Sequence, residues 1–156
     1  MEPPPLFPMD VSVQTTDDYW TPSWIFEAMG IRFDLDVCAP PGGIPWIPAD
    51  RYFTKADDGL AQPWEGRVWM NPPFSAPRPW VDRFLGHRNG VALVPIPKSG
   101  WFESVWNDVD AAIAMDGTRL SKFYRSNKRT DILLPCCLVA FGPECVEAIG
   151  RVGKVR

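Results

Sequence analysis

An α/β fold with a mainly parallel sheet and short flanking helices is what this sequence predicts, on three observations. The run Gly90-Val91-Ala92-Leu93-Val94-Pro95-Ile96 is apolar without alternation, the habit of a strand covered on both faces. Short apolar strands alternate with short helical patterns along the chain, as in layered α/β domains. The chain has 156 residues, 46% hydrophobic and 22% charged, which suits one hydrophobic core.

Each element has a local reason. Residues 1–18 are Pro-rich, then polar, without periodicity, and read as an arm preceding a single domain over 19–156. A helix is expected from Thr21: Thr21 can cap it, Pro22 suits its first turn, Trp24, Ile25 and Ala28 form an apolar side, and Gly30 can end it. Phe33-Asp34-Leu35-Asp36-Val37 alternates apolar and acidic residues, which predicts a strand with one buried face. It runs into Cys38-Ala39-Pro40-Pro41-Gly42-Gly43, where helix is excluded by the prolines. A short strand is expected at Tyr52-Phe53-Thr54, an acidic turn at Asp57-Asp58-Gly59 and a strand at Arg67-Val68-Trp69-Met70. That strand stops at Asn71-Pro72-Pro73-Phe74, because proline cannot continue the ladder. Trp80, Val81, Phe84 and Leu85 recur at helical spacing up to about His87. Beyond the buried strand, a helix is expected at Trp101–Asn107, strands at Ala111–Met115 and Leu133–Phe141, and a helix at Glu144–Ile149. No internal repeat is visible.

Composition narrows the function classes. The formal net charge is −3, so the whole-molecule field attracts neither nucleic acid nor an anionic membrane, and a polyanion must be met by a local patch. The segment Arg119, Lys122, Arg125, Lys128 and Arg129 supplies one, with Phe123 and Tyr124 among its cations. Lys98 is a lesser phosphate candidate. No apolar run is long enough to span a bilayer and no secretion signal is seen, which predicts a cytoplasmic protein with no membrane partner. Cys38, Cys136, Cys137 and Cys145 form no C-x-x-C pair, and His87 is the single histidine. No metal site is therefore expected; the thiols read as reduced core residues, and His87 as a capping or solvated side chain. Proline takes 18 of the positions, more than twice the usual ~5%; rigid loops, not long helices, should carry function.

The word that carries chemistry is Asn71-Pro72-Pro73-Phe74. Pro72 has no N–H, so the segment is not closed into a local turn there and its carbonyl can face a pocket, while the Asn71 side-chain oxygen adds a second acceptor. Two fixed acceptors hold both hydrogens of a planar amino group and aim its nitrogen lone pair at an electrophile. Phe74 offers a face for a flat heterocycle. A nucleobase amino group fits, and in duplex DNA such a base must first be rotated out of the stack. In parallel sheets ligands sit beyond the strand carboxyl ends, where both Asp36–Gly43 and Asn71–Phe74 are placed.

The Asn71–Phe74 word resembles the catalytic motif of S-adenosylmethionine-dependent amino methyltransferases. The order Trp20-Thr21-Pro22, Phe33–Ala39, Tyr52-Phe53-Thr54, Asp57-Asp58-Gly59-Leu60, Trp64 and Asn71–Ser75, continuing through Gly117–Phe123 and Leu134–Phe141, is similar to phage-type DNA N6-adenine methyltransferases over about residues 20–142. The resemblance implies a Rossmann-like methyltransferase sheet and S-adenosyl-L-methionine as cofactor. It implies catalysis by Asn71, Pro72, Pro73 and Phe74. Trp20, Thr21 and Pro22 would lie near the methionine end of the cofactor, Asp36, Cys38 and Ala39 near its ammonium group, and Asp58 near its adenine. Where such enzymes carry Gly-x-Gly after the first strand this chain has Pro40-Pro41-Gly42-Gly43, a stiffer loop, and no acid for the ribose hydroxyls stands out beyond Asp50.

The expected reaction is direct methyl transfer to N6 of a flipped adenine, with no attacking cysteine. The same motif could serve N4 of cytosine, RNA or a protein Gln, and a DNA-binding module without cofactor is the alternative of another class. No separate target-recognition domain is expected, so sequence preference would reside in loops or in a homodimer partner.

Overall fold

The computed structural model describes residues 19–96, 100–115, 124–125, 128–129 and 136–156. The elements run β1 (Tyr19–Trp20), α1 (Ser23–Met29), β2 (Phe33–Ala39), β3 (Ala49–Thr54), β4 (Val68–Met70), α2 (Arg78–His87), β5 (Gly90–Pro95), α3 (Trp101–Trp106), β6 (Ala112–Met115), β7 (Tyr124–Arg125), β8 (Lys128–Arg129), β9 (Cys136–Phe141), α4 (Pro143–Gly150) and β10 (Lys154–Val155). Two single 3-10 turns, Lys55–Asp57 and Gly59–Ala61, follow β3. The arm expected over residues 1–18 lies outside the described residues.

Seven strands form one mixed sheet in the order β10-β6-β9-β5-β4-β2-β3. The half made of β3, β2, β4 and β5 is parallel throughout. The other half is antiparallel: β9 inserts between β5 and β6, and β10 pairs with β6. The fold is therefore α/β, but the expected mainly parallel sheet is parallel only in the half that carries the Asn-Pro-Pro-Phe corner, because β9 and β10 pair antiparallel with their neighbours. A second, three-stranded sheet, β1-β7-β8, stands beside it.

Alternating side chains of the central strands feed two cores. Trp69, Val91, Leu93, Leu138 and Ala140 pack with Ile25, Phe26 and Met29 of α1 and Cys145, Ala148 and Ile149 of α4. Val68, Met70, Ala92, Val94, Val139 and Phe141 pack with Val81 and Phe84 of α2 and Trp101 and Val105 of α3. Helices thus cover both faces, which is why β5 and β9 are apolar at every position. Each fully buried Leu, Ile or Phe contributes about 1.5–3 kcal/mol, so the central strands form a rigid base for the loops at their ends.

One local expectation is corrected. The first helix starts at Ser23, with Pro22 in extended backbone as its N-cap and no side-chain cap. Thr21 is 0% exposed and its hydroxyl is engaged elsewhere, as described below. The C-terminal end is as expected: Gly30 turns left-handed at φ 63° and its N–H bonds the Phe26 carbonyl. Among the described residues no helix is long and apolar enough to cross a membrane.

Candidate active site

Parallel pairing puts the carboxyl ends of β2, β4 and β5 on one edge of the sheet. Asp36 is paired with Trp69 across β2 and β4, so Cys38, still in β2, and Asn71, just past the end of β4, lie side by side two residues further on. Met70 is paired with Ala92, which brings the end of β5 alongside. Asn71 is held from outside the sheet: its Nδ2 donates to Thr21 Oγ1 at 3.0 Å. Thr21 and the buried Pro22 sit in the extended segment that enters α1, so two motifs 50 residues apart meet through one hydrogen bond. With its NH2 side bound to Thr21, the amide presents Oδ1, which has no hydrogen bond among the described residues.

The Pro-Pro pair shapes the rest of the corner. Pro73 C=O accepts from Ala76 N–H at 3.2 Å and closes a turn, while Pro72 C=O receives no backbone hydrogen among the described residues. Phe74 is half-buried; it packs against the core on the α1 and α4 side of the sheet and also lines an open hollow of about 480 Å³. Arg78 and Pro79 at the start of α2, Pro95 at the end of β5 and Trp101 at the start of α3 form the other walls.

Asp36 is only 3% exposed. Burial pushes its carboxyl up to about 7, against a smaller opposing effect of the Cys38 backbone N–H, which donates to Oδ1 at 3.2 Å. Asp34, on the same strand, is exposed and accepts from Arg67 N–H at 2.7 Å. The alternating acids are thus of two kinds, one on the surface and one buried at the strand end. Ala39 is buried and Cys38 half-buried beside it.

The acidic turn reaches the same edge. Gly59 is buried against the Val37 carbonyl of β2, so close that a Cβ there would collide with it. Asp57 does the local capping: its carboxylate accepts from Thr54 N–H at 2.8 Å and Thr54 Oγ1 at 3.1 Å. Asp58 is exposed and in left-handed backbone at φ 56°, which leaves its carboxylate to solvent next to β2. Asp50 is tied to Arg32 at 2.9 Å on the exposed edge strand and is not a member of this cluster.

The basic segment is described in part. Arg125 lies in β7 and Lys128 and Arg129 in β8; Lys98, Arg119 and Lys122 lie outside the described residues. The β7 backbone pairs antiparallel with β1, Trp20 opposite Tyr124 and Tyr19 opposite Arg125. The paired β7 and β8 are therefore joined to the strand that runs directly into Thr21, a proximity that no sequence spacing announced.

Three cysteines and the histidine lie away from this edge or in the core. Cys136, Cys137 and Cys145 are buried free thiols. Burial pushes Cys137 up to about 12 and Cys136 higher, which suits packing and not nucleophilic attack. His87, in the last turn of α2, has its Nε2 2.7 Å from the Gly66 carbonyl and its ring edge against Trp64, away from the corner. Among the described residues no group of three or more His, Cys, Asp or Glu could hold a metal ion.

Sequence reasoning missed Trp46. It lies in the Pro40–Pro48 loop after β2, and its Nε1–H donates to the Thr21 carbonyl at 2.8 Å while its ring meets the Trp20 ring at 5.5 Å. A lone aromatic in a Pro-rich loop has no periodicity; the only signal was the abundance of tryptophan itself.

A sandwich with a buried acid and an amide-bearing Pro-Pro corner at the carboxyl ends of parallel strands has the layout of an α/β ligand-binding enzyme. Residues 10–134 match the family model described as DNA N-6-adenine-methyltransferase (Dam). Over 115 residues the chain is 30% identical to the DNA N-6-adenine-methyltransferase of Haemophilus phage HP1, covering 66% of this chain and 65% of that protein. The match thus spans just under two thirds of that relative. No solved structure matches. This chain belongs to the DNA N-6-adenine-methyltransferase (Dam) family.

Proposed function

We propose that this protein transfers a methyl group from S-adenosylmethionine to the exocyclic N6 of adenine in DNA, on a Rossmann-like methyltransferase domain. The observation that carries the reading is the fixed Asn71 amide: Thr21 holds the NH2 side, so the oxygen is the group offered to a ligand. Together, Asn71 Oδ1 and the Pro72 carbonyl accept the two hydrogens of a planar amino group, and the nitrogen lone pair is held at right angles to that plane. Phe74 supplies the stacking face, worth about 1–3 kcal/mol per base. That gain offsets part of the few kcal/mol needed to rotate adenine out of the duplex.

The residues fit the cofactor. A buried carboxyl raised to about 7 and bonded by one backbone N–H is poorly solvated, and an α-ammonium group brought against it would stabilise its ionised form. Asp36, Cys38 and Ala39 would hold that end with Trp20, Thr21 and Pro22, and Asp58 would face the adenosine from the turn seated on Val37. When bound, S-adenosylmethionine supplies a methyl group made electrophilic by its sulfonium. The protein's own part is orientation: no covalent attachment of the base is required, in keeping with the inert thiols. Arg125, Lys128 and Arg129, with Arg119 and Lys122, would neutralise phosphates next to the site.

The experiment is incubation of purified protein with methyl-labelled cofactor and, separately, duplex DNA, RNA and protein, followed by mass analysis of the product. N6-methyladenine in DNA is the expected product. N4-methylcytosine, methylated RNA or methyl-Gln would transfer the same geometry to another acceptor, and retention of DNA without cofactor binding would make the chain a binding module.

A further inference from the structure

We propose that Trp46 is a positioning residue for Asn71, acting through Thr21. This rests on the methyl-transfer reading above. Two hydrogen bonds in series link the three residues: Trp46 Nε1–H to Thr21 C=O at 2.8 Å and Asn71 Nδ2–H to Thr21 Oγ1 at 3.0 Å. They converge on a residue that is 0% exposed, so on the Thr21 side neither bond has water to replace it. Thr21 lies just before Pro22, the extended N-cap of α1, and α1 is only seven residues long and has no side-chain cap. Its preceding residue, Trp20, belongs to a two-residue strand, and the Trp46 ring also meets that side chain edge-on at 5.5 Å. The indole thus fixes the Thr21 main chain, while Asn71 uses its hydroxyl.

The loop that bears Trp46 is built to hold it there. Gly42 and Gly43 have φ of 83° and 75°, and Gly43 N–H bonds the Pro40 carbonyl at 2.9 Å. This turn reverses the chain immediately after β2. Ile47 N–H bonds Ile44 C=O at 3.1 Å and Ala49 N–H bonds Ile47 C=O at 2.8 Å, so both flanks of Trp46 are tied. Ile47 itself is buried in the core. The Pro-Pro-Gly-Gly segment that departs from a Gly-x-Gly cradle therefore has a positive role: it carries a clamp across the entrance of α1 onto the Asn71 amide.

The test separates the N–H from the ring. Replacing Trp46 with 3-benzothienylalanine keeps the bicyclic shape and removes the donor, and 5-fluorotryptophan keeps both. The donor-free protein is expected to lose about tenfold or more in kcat, since displacement of a reacting group by a fraction of an ångström is that costly. KM for DNA should stay within about twofold, because Trp46 does not touch DNA in this scheme, and affinity for S-adenosylhomocysteine, whose methionine end shares Thr21, should fall by less than kcat does. The fluorinated protein is expected to match wild type. In a Thr21→Val background the same replacement should cost nothing further, since the route to Asn71 is already cut. Without any turnover, the Asn71 side-chain amide resonances of the donor-free protein should shift from their wild-type positions. Unchanged kcat together with unmoved Asn71 resonances would overturn the proposal, as would equal losses in both backgrounds. A wild-type protein that makes no N6-methyladenine defeats the methyl-transfer reading instead, and the resonance shift still decides whether Trp46 positions Asn71.

Discussion

Asn71 Nδ2 lies 3.0 Å from Oγ1 of Thr21, a bond between the corner that ends β4 and the segment that enters α1. It converts a freely rotating amide into one with a fixed oxygen. Thr21→Val keeps the shape of the side chain and leaves the Asn71 donor unpaired, at a cost of about 1–3 kcal/mol in stability. Its larger effect is on the reaction: kcat should fall about 10²-fold, the scale of a misplaced reacting group, while Thr21→Ser retains most activity. Initial rates with labelled cofactor and DNA check both variants; a Val variant with wild-type kcat removes Thr21 from the site.

Asn71→Ala removes the acceptor itself. Transfer should drop below detection, and affinity for S-adenosylhomocysteine should remain within about twofold, because the cofactor reading places Asp36 and not Asn71 against its ammonium end. Titration calorimetry beside the transfer assay distinguishes loss of chemistry from loss of binding.

Asp36 sets a pH dependence whose sign follows from burial. Its carboxyl is raised from 3.8 to about 7, so between those values the unfolded chain has released the proton that the folded chain keeps. Stability of the unliganded protein therefore falls as pH rises through this window and levels off above it. Binding of a cationic group needs the ionised acid, so affinity for S-adenosylhomocysteine should rise by up to about tenfold per pH unit below 7 and flatten above. Asp36→Asn should bind weakly with no such slope. Calorimetric titrations from pH 5 to 8 read both effects.

How much of this was legible beforehand depends on the range of the interaction. The Asn71–Phe74 corner could be read because two prolines restrict the backbone locally, whatever surrounds them. The doubly buried strand β5 was legible for a similar reason, since its own residues record both covered faces. Thr21 was misread because a threonine before Pro-Ser at a helix start has the local chemistry of a cap, and only the folded chain brings Asn71 within reach of its hydroxyl. Trp46 and the pairing of β1 with β7 were invisible for the same cause: contacts across 25 residues and about a hundred leave no periodic trace. The insertion of β9 between β5 and β6 likewise follows from topology, because an apolar run does not tell a strand's direction.

Two glycines give the last prediction, as a matched pair. Gly59 and Gly90 each lie against a strand carbonyl, Val37 C=O and Val68 C=O, with no room for a Cβ. Gly90 begins β5, at the opposite end of the strands from the candidate site, and has φ of 146°. Gly90→Ala should therefore cost about 1–3 kcal/mol through overpacking and backbone strain, with kcat and cofactor affinity of the folded fraction unchanged. Gly59→Ala should cost a similar amount, but it must also push the Asp57-Asp58 turn away from β2. If Asp58 faces the adenosine, that displacement weakens S-adenosylhomocysteine binding by about tenfold or more, which Asp58→Ala in the wild-type background should reproduce without the loss of Tm. Thermal melts and binding titrations on the three variants decide it: equal affinities for Gly59→Ala and Gly90→Ala would leave Asp58 as a turn residue alone.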